Sequence, residues 1–188
     1  WDYSIKGYEL NVGEIIEDNN FRFALTNDGN YSIIKYLGQD KVIDLNQLDK
    51  NIVSILPGAF NDKEIDKLVL PEGMQLIAAN TFENSLIKQI SIPNSLEIIS
   101  RDAFRNSEIQ KVIFGSNSKL QKIESNAFRE CNNLEEITLP KSLISIYNHA
   151  FFDSSINKVI IPSDSKLEMI LNYAFVYPVS TNMHLPNS

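Results

Sequence analysis

Residues with catalytic or metal-binding side chains are scarce in this 188-residue chain. Cys131 is its single cysteine, and His149 and His184 are its two histidines, so the one thiol nucleophile available is Cys131 with a histidine as base. The sequence contains no Gly-x-Ser-x-Gly, His-Glu-x-x-His or glycine-rich phosphate-loop motif. The chain also contains a sequence repeat, described below, and Cys131 falls on a position of it that is serine in other copies. This favours a structural role for Cys131. We therefore predict that these residues form no catalytic site and bind no cofactor.

One loop carries side chains that could hold a metal ion. Asn27, Asp28 and Asn30 offer the oxygen ligands that calcium prefers. A single carboxylate is too few for a firm site, and Asp28-Gly29 between two strand-like runs is a strong hairpin signal. The sequence therefore favours a turn over a calcium site, and we predict no metal.

Composition and charge exclude several classes of protein. The apolar fraction is 43%, the charged fraction 22% and the formal net charge −7, which is ordinary for a globular domain. A net negative charge disfavours binding to nucleic acid or to an anionic membrane surface. No apolar run approaches the roughly 18 residues of a membrane span, so we predict no direct membrane insertion. A single cysteine excludes an intrachain disulfide.

A repeat of 22 to 24 residues organises most of the chain. A small residue followed by phenylalanine recurs six times, with spacings of 22, 22, 24, 23 and 24 residues between phenylalanines. These phenylalanines are Phe60, Phe82, Phe104, Phe128, Phe151 and Phe175. Repeats of this length indicate a solenoid, in which each coil buries its apolar residues against the next coil.

A second pattern, an apolar residue followed by proline or glycine, recurs in step with the first. The residues before it alternate with the period of a β-strand, and proline ends the strand because it lacks a backbone donor. The pattern predicts stacked parallel strands near residues 67–70, 89–92, 111–114, 136–139, 158–161 and 182–185. The short segment around Ala-Phe predicts a turn or a single helical turn on the other side of each coil.

The repeat resembles that of the BspA-like leucine-rich-repeat family. The match is clearest over residues 128–140, Phe-Arg-Glu-Cys-Asn-Asn-Leu-Glu-Glu-Ile-Thr-Leu-Pro, and it covers roughly residues 42 to 188. Other copies carry Ser85, Ser107 and Ser154 at the cysteine position. The resemblance implies a leucine-rich-repeat solenoid, horseshoe-like and β-dominated, of about six coils. It also implies a microbial surface or secreted protein with a role in adhesion or host interaction.

Residues 1–41 lack the repeat. The strand-like runs at 21–25 and 31–36 predict a β-hairpin, which we assign to covering the apolar edge of the first coil. The sequence of residues 1–20 is consistent with two interpretations, an additional strand around Tyr8 or a linker. We thus expect an N-terminal extension and hairpin cap in 1–41 and a solenoid in 42–188, which either winds down into a cap or stops inside the array at Ser188.

Side chains that alternate with the buried ones should form two columns on the predicted sheet face. The first column is Lys67, Gln89, Lys111, Glu136 and Lys158, and the second is Val69, Ser91, Ile113, Thr138 and Ile160. Asn182 and His184 would extend these columns. Two interpretations stay open. The face binds a partner, or it is a plain sheet surface on which Lys111, Glu136 and Lys158 pair across strands.

Three functions are consistent with these features. The first is a non-catalytic interaction module that binds a protein or glycan macromolecule through the sheet face. The second is a rigid spacer, and the third is an accessory repeat region of a larger enzyme. A contiguous apolar or single-sign patch on the face would favour binding, whereas an evenly mixed polar face would favour spacing. An extracellular or cell-surface location follows from the family resemblance alone.

Overall fold

The structure, a computed structural model, describes residues 4–5, 8–9 and 13–175. Over these residues the chain forms a solenoid of parallel β-strands that is preceded by antiparallel strands. Each complete coil gives one longer strand to a front sheet and one two-residue strand to a back sheet. The strand that we predict at 182–185 lies outside the described residues, as do Asn182 and His184.

The front sheet consists of five segments that the sequence predicts as strands and of one earlier strand, Val42–Asp44, that it does not predict. Its members are Val42–Asp44, Lys67–Val69, Gln89–Ile92, Lys111–Phe114, Glu136–Thr138 and Lys158–Ile160. The strands run parallel with matching repeat positions side by side, since Ile90 lies between Leu68 and Val112. The predicted leucine-rich-repeat solenoid and its front strands are therefore confirmed for the described residues.

The back sheet is a feature that the sequence analysis misses. Its strands are Leu76–Ile77, Ile98–Ile99, Lys122–Ile123, Ser145–Ile146 and Met169–Ile170, and they form one continuous parallel sheet. A strand of two residues is too short to show an alternating pattern. The segments around Ala-Phe form turns, which is the first of the two forms that the sequence predicts; the one helix among the described residues is the 3-10 turn Leu45–Gln47.

Successive tight turns carry the chain through each Ala-Phe segment. In one coil the N–H groups of Ala103 and Arg105 donate to the carbonyls of Ser100 and Asp102. Two positions in these turns have positive φ, one just before the small residue and one two residues after phenylalanine. The first position holds Asn80, Asp102, Asn126, His149 and Tyr173, and the second holds Asp62, Asn84, Asn106, Glu130 and Asp153. Asparagine and aspartate tolerate this left-handed backbone better than most residues.

The repeated phenylalanines form a single column, buried from Phe60 to Phe151 and half-buried at Phe175, which we call the phenylalanine stack: Phe60, Phe82, Phe104, Phe128, Phe151 and Phe175. Phe104 has no exposed surface, and its ring centroid lies 5.1 Å from that of Phe82 and 4.9 Å from that of Phe128. The Phe104 N–H also donates to the Ala127 carbonyl of the next coil at 2.7 Å. Ring stacking and backbone hydrogen bonding are therefore both satisfied by the same distance between neighbouring coils.

An antiparallel sheet leads into the solenoid. Ile15–Glu17, Phe21–Leu25 and Tyr31–Tyr36 pair in sequence order, and Tyr31–Tyr36 then pairs in parallel with Ile52–Ile55. A short antiparallel pair, Ser4–Ile5 with Tyr8–Glu9, precedes them. The Tyr36 ring lies 5.7 Å from that of Phe60, so the aromatic column of the solenoid continues into the hairpin.

The hairpin loop uses its polar side chains within the turn. The Thr26 hydroxyl donates to the Asp28 carboxylate and accepts from the Asn30 N–H at 3.0 Å. The hydrogen bond from Thr26 lowers the pKa of Asp28 below its usual value. Gly29 supplies the positive φ of 80° that the turn requires. Within the described residues, no three His, Cys, Asp or Glu side chains cluster as metal ligands would.

Cys131 lies at the corner that follows the phenylalanine stack. It is fully buried, and its Sγ lies 3.0 Å from the Phe104 carbonyl and 3.6 Å from the Ser107 hydroxyl. Burial raises the pKa of the thiol from 9.0 to about 12. At neutral pH the group is therefore a protonated thiol that packs in the corner, whereas nucleophilic chemistry needs the thiolate.

Truncating the phenylalanine stack should be strongly destabilising. We expect Phe104→Ala to lower the free energy of unfolding by ~3–5 kcal/mol, because coils on both sides hold the cavity open. The measurement is chemical denaturation followed by circular dichroism, with Leu86→Ala as an exposed control. An unchanged midpoint for Phe104→Ala would contradict the assignment of this slot.

The left-handed turn positions give a second, smaller effect. Asn126 has φ 59°, so Asn126→Ala should cost ~1 kcal/mol because alanine lacks the short polar side chain with which asparagine stabilises the left-handed conformation. Asn126→Gly should be close to neutral, since glycine adopts positive φ freely. Comparing the two unfolding midpoints checks the assignment, and equal losses for both variants would refute it.

Cys131 should resist alkylation in the folded protein. With a pKa of about 12, only about one thiol in 10,000 is ionised at pH 8. Iodoacetamide should therefore modify Cys131 only after unfolding, as mass spectrometry would show. Because the folded pKa is raised, the contribution of the protonated thiol to stability should decline as pH rises from about 9 to about 12. Cys131→Ser should remove that decline and should perturb the unfolding midpoint far less than Phe104→Ala; rapid labelling of native protein would contradict the burial.

Candidate interaction surface

The two predicted columns lie on the outer side of the front sheet. Lys67, Lys111, Glu136, Thr138 and Lys158 are exposed, and Val69, Gln89, Ser91, Ile113 and Ile160 are half-buried. Strand pairing places Gln89 beside Lys111 and Ser91 between Val69 and Ile113. It also places Glu136 beside Lys158 and Thr138 beside Ile160. The structure thus brings the predicted residues together in two groups, three coils in one and two in the other.

Charge is mixed along the first column. Lys158 forms an ion pair with Glu136 at 2.6 Å, as the plain-surface interpretation predicts for these two residues. Lys111 makes no ion pair with any described residue, so the predicted pairing of Lys111 with Glu136 is wrong. Asn46 hydrogen bonds lower the pKa of Asp44, and the charge of nearby Lys67 adds to the effect. Lys67 likewise makes no ion pair with any described residue, so Lys67 and Lys111 are the two unpaired cations of the column, and Lys158 is the paired one.

The second column is more apolar. Val69, Ile113 and Ile160 expose part of their side chains to solvent, separated by the small polar residues Ser91 and Thr138. β-Branched residues suit strands whether or not they contact a partner. The face as a whole is neither a continuous apolar patch nor a surface of one charge.

The front sheet is interrupted between two coils. Strand pairing joins Val42–Asp44 through Lys111–Phe114 in one sheet and Glu136–Thr138 with Lys158–Ile160 in another. Among the backbone hydrogen bonds of residues 13–175, none joins residues 109–115 to residues 132–139. We call this gap between Lys111–Phe114 and Glu136–Thr138 the seam. It contradicts a single continuous front sheet, and Lys111 and Glu136 lie on its opposite sides.

Two adjoining hollows open along the seam. One has a volume of about 380 Å³ and is lined by Phe114, Gly115, Leu139, Pro140 and Pro162 among others. The other has a volume of about 530 Å³ and is more polar, with Gln110, Asn133, Glu135 and Glu136 in its wall. Lys111, Val112 and Thr138 line both hollows. The two hollows therefore form one groove parallel to the strands.

The length of one corner in the sequence marks the coil that contains the seam. Five positions separate phenylalanine from the next repeat aliphatic in other coils, as from Phe104 to Ile109, but six separate Phe128 from Leu134. The extra residue forms a turn in which the Leu134 N–H donates to the Cys131 carbonyl at 3.3 Å. Counting the corner length would have located the irregular coil, although not the groove.

Among the described residues, the two with catalytic potential, Cys131 and His149, do not come together in one site. His149 is half-buried with its ring stacked on Tyr173 at 5.5 Å and edge-on to Phe152 at 5.0 Å. It takes the left-handed position that precedes Ala150, and Cys131 lies buried in a different corner. In the part of the chain that the structure describes, no helix has the length and apolar character of a membrane span.

Solved structures with similar folds come from bacterial leucine-rich-repeat proteins. The pneumococcal vaccine antigen PcpA is 28% identical, with a TM-score of 0.57 over 87% of this chain and 42% of that one. A leucine rich cell surface protein of Faecalibacterium prausnitzii is 20% identical, with a TM-score of 0.61 over 86% and 46% of the two chains. At this lower identity the second likeness concerns the fold alone. The chain spans less than half the length of either structure.

Sequence comparison identifies the repeat directly. No curated protein matches the chain. A family model described as BspA type leucine rich repeat region matches residues 48–187 in six copies. This range includes the front strands from Lys67–Val69 onward, the back strands and the whole phenylalanine stack described above. The chain belongs to the BspA-type leucine-rich-repeat family.

Proposed function

We propose that this chain is a non-catalytic interaction module of a bacterial cell-surface or secreted protein, and that it binds a protein or glycan macromolecule through the front sheet. The observation that carries the proposal is the exposure of the two columns on rigid, hydrogen-bonded strands. A partner that meets such a surface orders few groups on binding. Membership in this family and the likeness to a vaccine antigen support a surface location and a role in adhesion.

A rigid spacer is the second candidate function. The mixed character of the front face favours it, as does the ion pair between Lys158 and Glu136, because these two side chains satisfy each other rather than a partner. Similar coil-to-coil contacts, such as Lys88 with Asp66 at 2.7 Å, occur away from the columns. Exposed pairs of this kind contribute little to stability, so they neither demand nor exclude binding. The uncompensated Lys111 beside half-buried Ile113 favours the interaction module.

Replacing Lys111 and Ile113 together tests the proposed face. We expect Lys111→Glu with Ile113→Asp to weaken binding to an immobilised host extracellular-matrix extract at least tenfold, because the change reverses an exposed charge that has no ion-pair partner and removes the apolar contact. The measurement is biosensor binding of the purified chain. Lys122→Glu with Ile98→Asp makes the same changes on two paired strands of the back sheet and should leave binding unchanged.

Two results would oppose the proposal. Equal loss in the front and back variants would show that the front sheet is not the binding surface. Absence of binding by the unaltered chain to extracts from several host tissues would favour the spacer.

A further inference from the structure

At the other described junctions of the front sheet, backbone groups hydrogen bond to the neighbouring coil. The equivalent groups at the seam have no such partner. The Lys111 N–H donates to the Lys88 carbonyl of the preceding coil at 3.1 Å, and the Leu139 N–H donates to the Ile160 carbonyl of the following coil at 2.9 Å. Successive residues of a strand point their backbone groups in opposite directions. Val112 and Phe114 therefore direct their N–H and C=O groups forward into the seam, and Glu136 and Thr138 direct theirs backward into it.

The interruption begins at the corner that carries the extra residue. At the neighbouring junctions the Glu108 N–H donates to Ser85 and the Ser155 N–H donates to Cys131, at 2.9 and 3.3 Å. No equivalent bond forms from Asn132 to the Ser107 carbonyl. The back sheet and the phenylalanine stack continue past this point. The seam is therefore a local opening of one face in an otherwise continuous solenoid.

The dimensions of the groove match a short extended peptide. It runs beside residues 110–115 and 135–140, which at about 3.3 Å per residue gives a length of roughly 20 Å. Its floor offers donors and acceptors at the two-residue spacing of a strand, and its wall at one end is apolar, with Leu139, Pro140 and Pro162. Water must hydrogen bond to the open backbone groups when nothing is bound. The N–H and C=O groups of a peptide backbone can form the same hydrogen bonds in place of water.

We infer that the seam binds an extended peptide segment of a partner protein, with about five residues in contact. The inference rests on the proposed function and names the partner class for the same face. The backbone of the peptide hydrogen bonds to the open edges, and an acidic side chain or carboxylate lies near Lys111, an exposed cation that lines both hollows and makes no ion pair with any described residue. A peptide is favoured over a glycan because the open groups repeat with the period of a polypeptide strand.

Amide hydrogen exchange of the free chain tests whether the seam is open. The N–H groups of Val112 and Phe114 should exchange at least a hundredfold faster than those of Ile90 and Ile92, which hold the same repeat positions in the preceding coil and face a paired strand. Deleting Asn132 restores the corner length of the other coils and should slow the exchange of Val112. Equal protection of the two coils in the unaltered chain would overturn the inference.

Selection from a phage library of random heptapeptides tests the ligand class. We expect enriched peptides whose dissociation constants rise at least tenfold when every second residue is N-methylated, since methylation removes the backbone donors. Thr138→Pro, which deletes one N–H facing the seam, should weaken binding by a similar factor, whereas Thr138→Val keeps that donor and should have little effect. Failure to enrich any peptide, or affinities unaffected by N-methylation in either register, would overturn the inference even if the Thr138→Pro chain does not fold.

The same variants separate this inference from the proposed function. Lys67→Glu with Val69→Asp alters the front face two coils away from the seam. If matrix binding is lost in that variant but kept after Asn132 deletion, the front face binds and the seam inference is wrong. If selected peptides bind the unaltered chain and not the Asn132 deletion while matrix extracts do not bind at all, the seam inference stands and the proposed function fails. Displacement of the matrix ligand by glycans but not by selected peptides would also overturn the peptide assignment.

Discussion

The repeat distance shared by ring stacking and backbone hydrogen bonding is the constraint on which this solenoid depends. Rings in the phenylalanine stack lie 4.9 to 5.1 Å apart from Phe82 to Phe175, close to the spacing of hydrogen-bonded strands. The N–H of each stacked phenylalanine from Phe82 to Phe151 donates to the small residue before the next phenylalanine. A coil of about 23 residues cannot satisfy either interaction alone, so stability belongs to pairs of neighbours.

This dependence leaves the first coil with an apolar face that needs a different neighbour. The aromatic column does not stop at Phe60, because Tyr36 lies 5.7 Å beyond it and Phe21 lies 5.0 Å from Tyr36. The strands of the hairpin carry these rings, and they pair with each other in antiparallel fashion, unlike the parallel strands of the coils. Tyr36, Phe21 and Phe23 are almost fully buried, which supports our assignment of a capping role to this segment.

The sequence predicted the front strands and the stacked phenylalanines because inward and outward residues alternate over enough positions to be recognised. It did not predict the back sheet, since strands such as Ile98–Ile99 have no length over which to alternate. The residue before the small residue of each Ala-Phe segment has a different cause. Asp102 is buried, and its φ of 57° explains the residue type. The alternation of apolar and polar residues does not report the backbone conformation of such a position.

The candidate site shows the same division between what repeats and what does not. The ten column residues follow from alternation alone, but the separation of Lys111 from Glu136 depends on how one additional residue is accommodated at Cys131–Leu134. In a regular coil every front-strand backbone group is bonded to a neighbouring coil, and only side chains remain to recognise a partner. An irregular coil leaves backbone groups open, and these are oriented by strands that the back sheet and the phenylalanine stack hold in place. The position best suited to specific binding is therefore the one where the repeat is imperfect, because at the seam the rigidity of the solenoid and free hydrogen-bonding groups coincide between two coils.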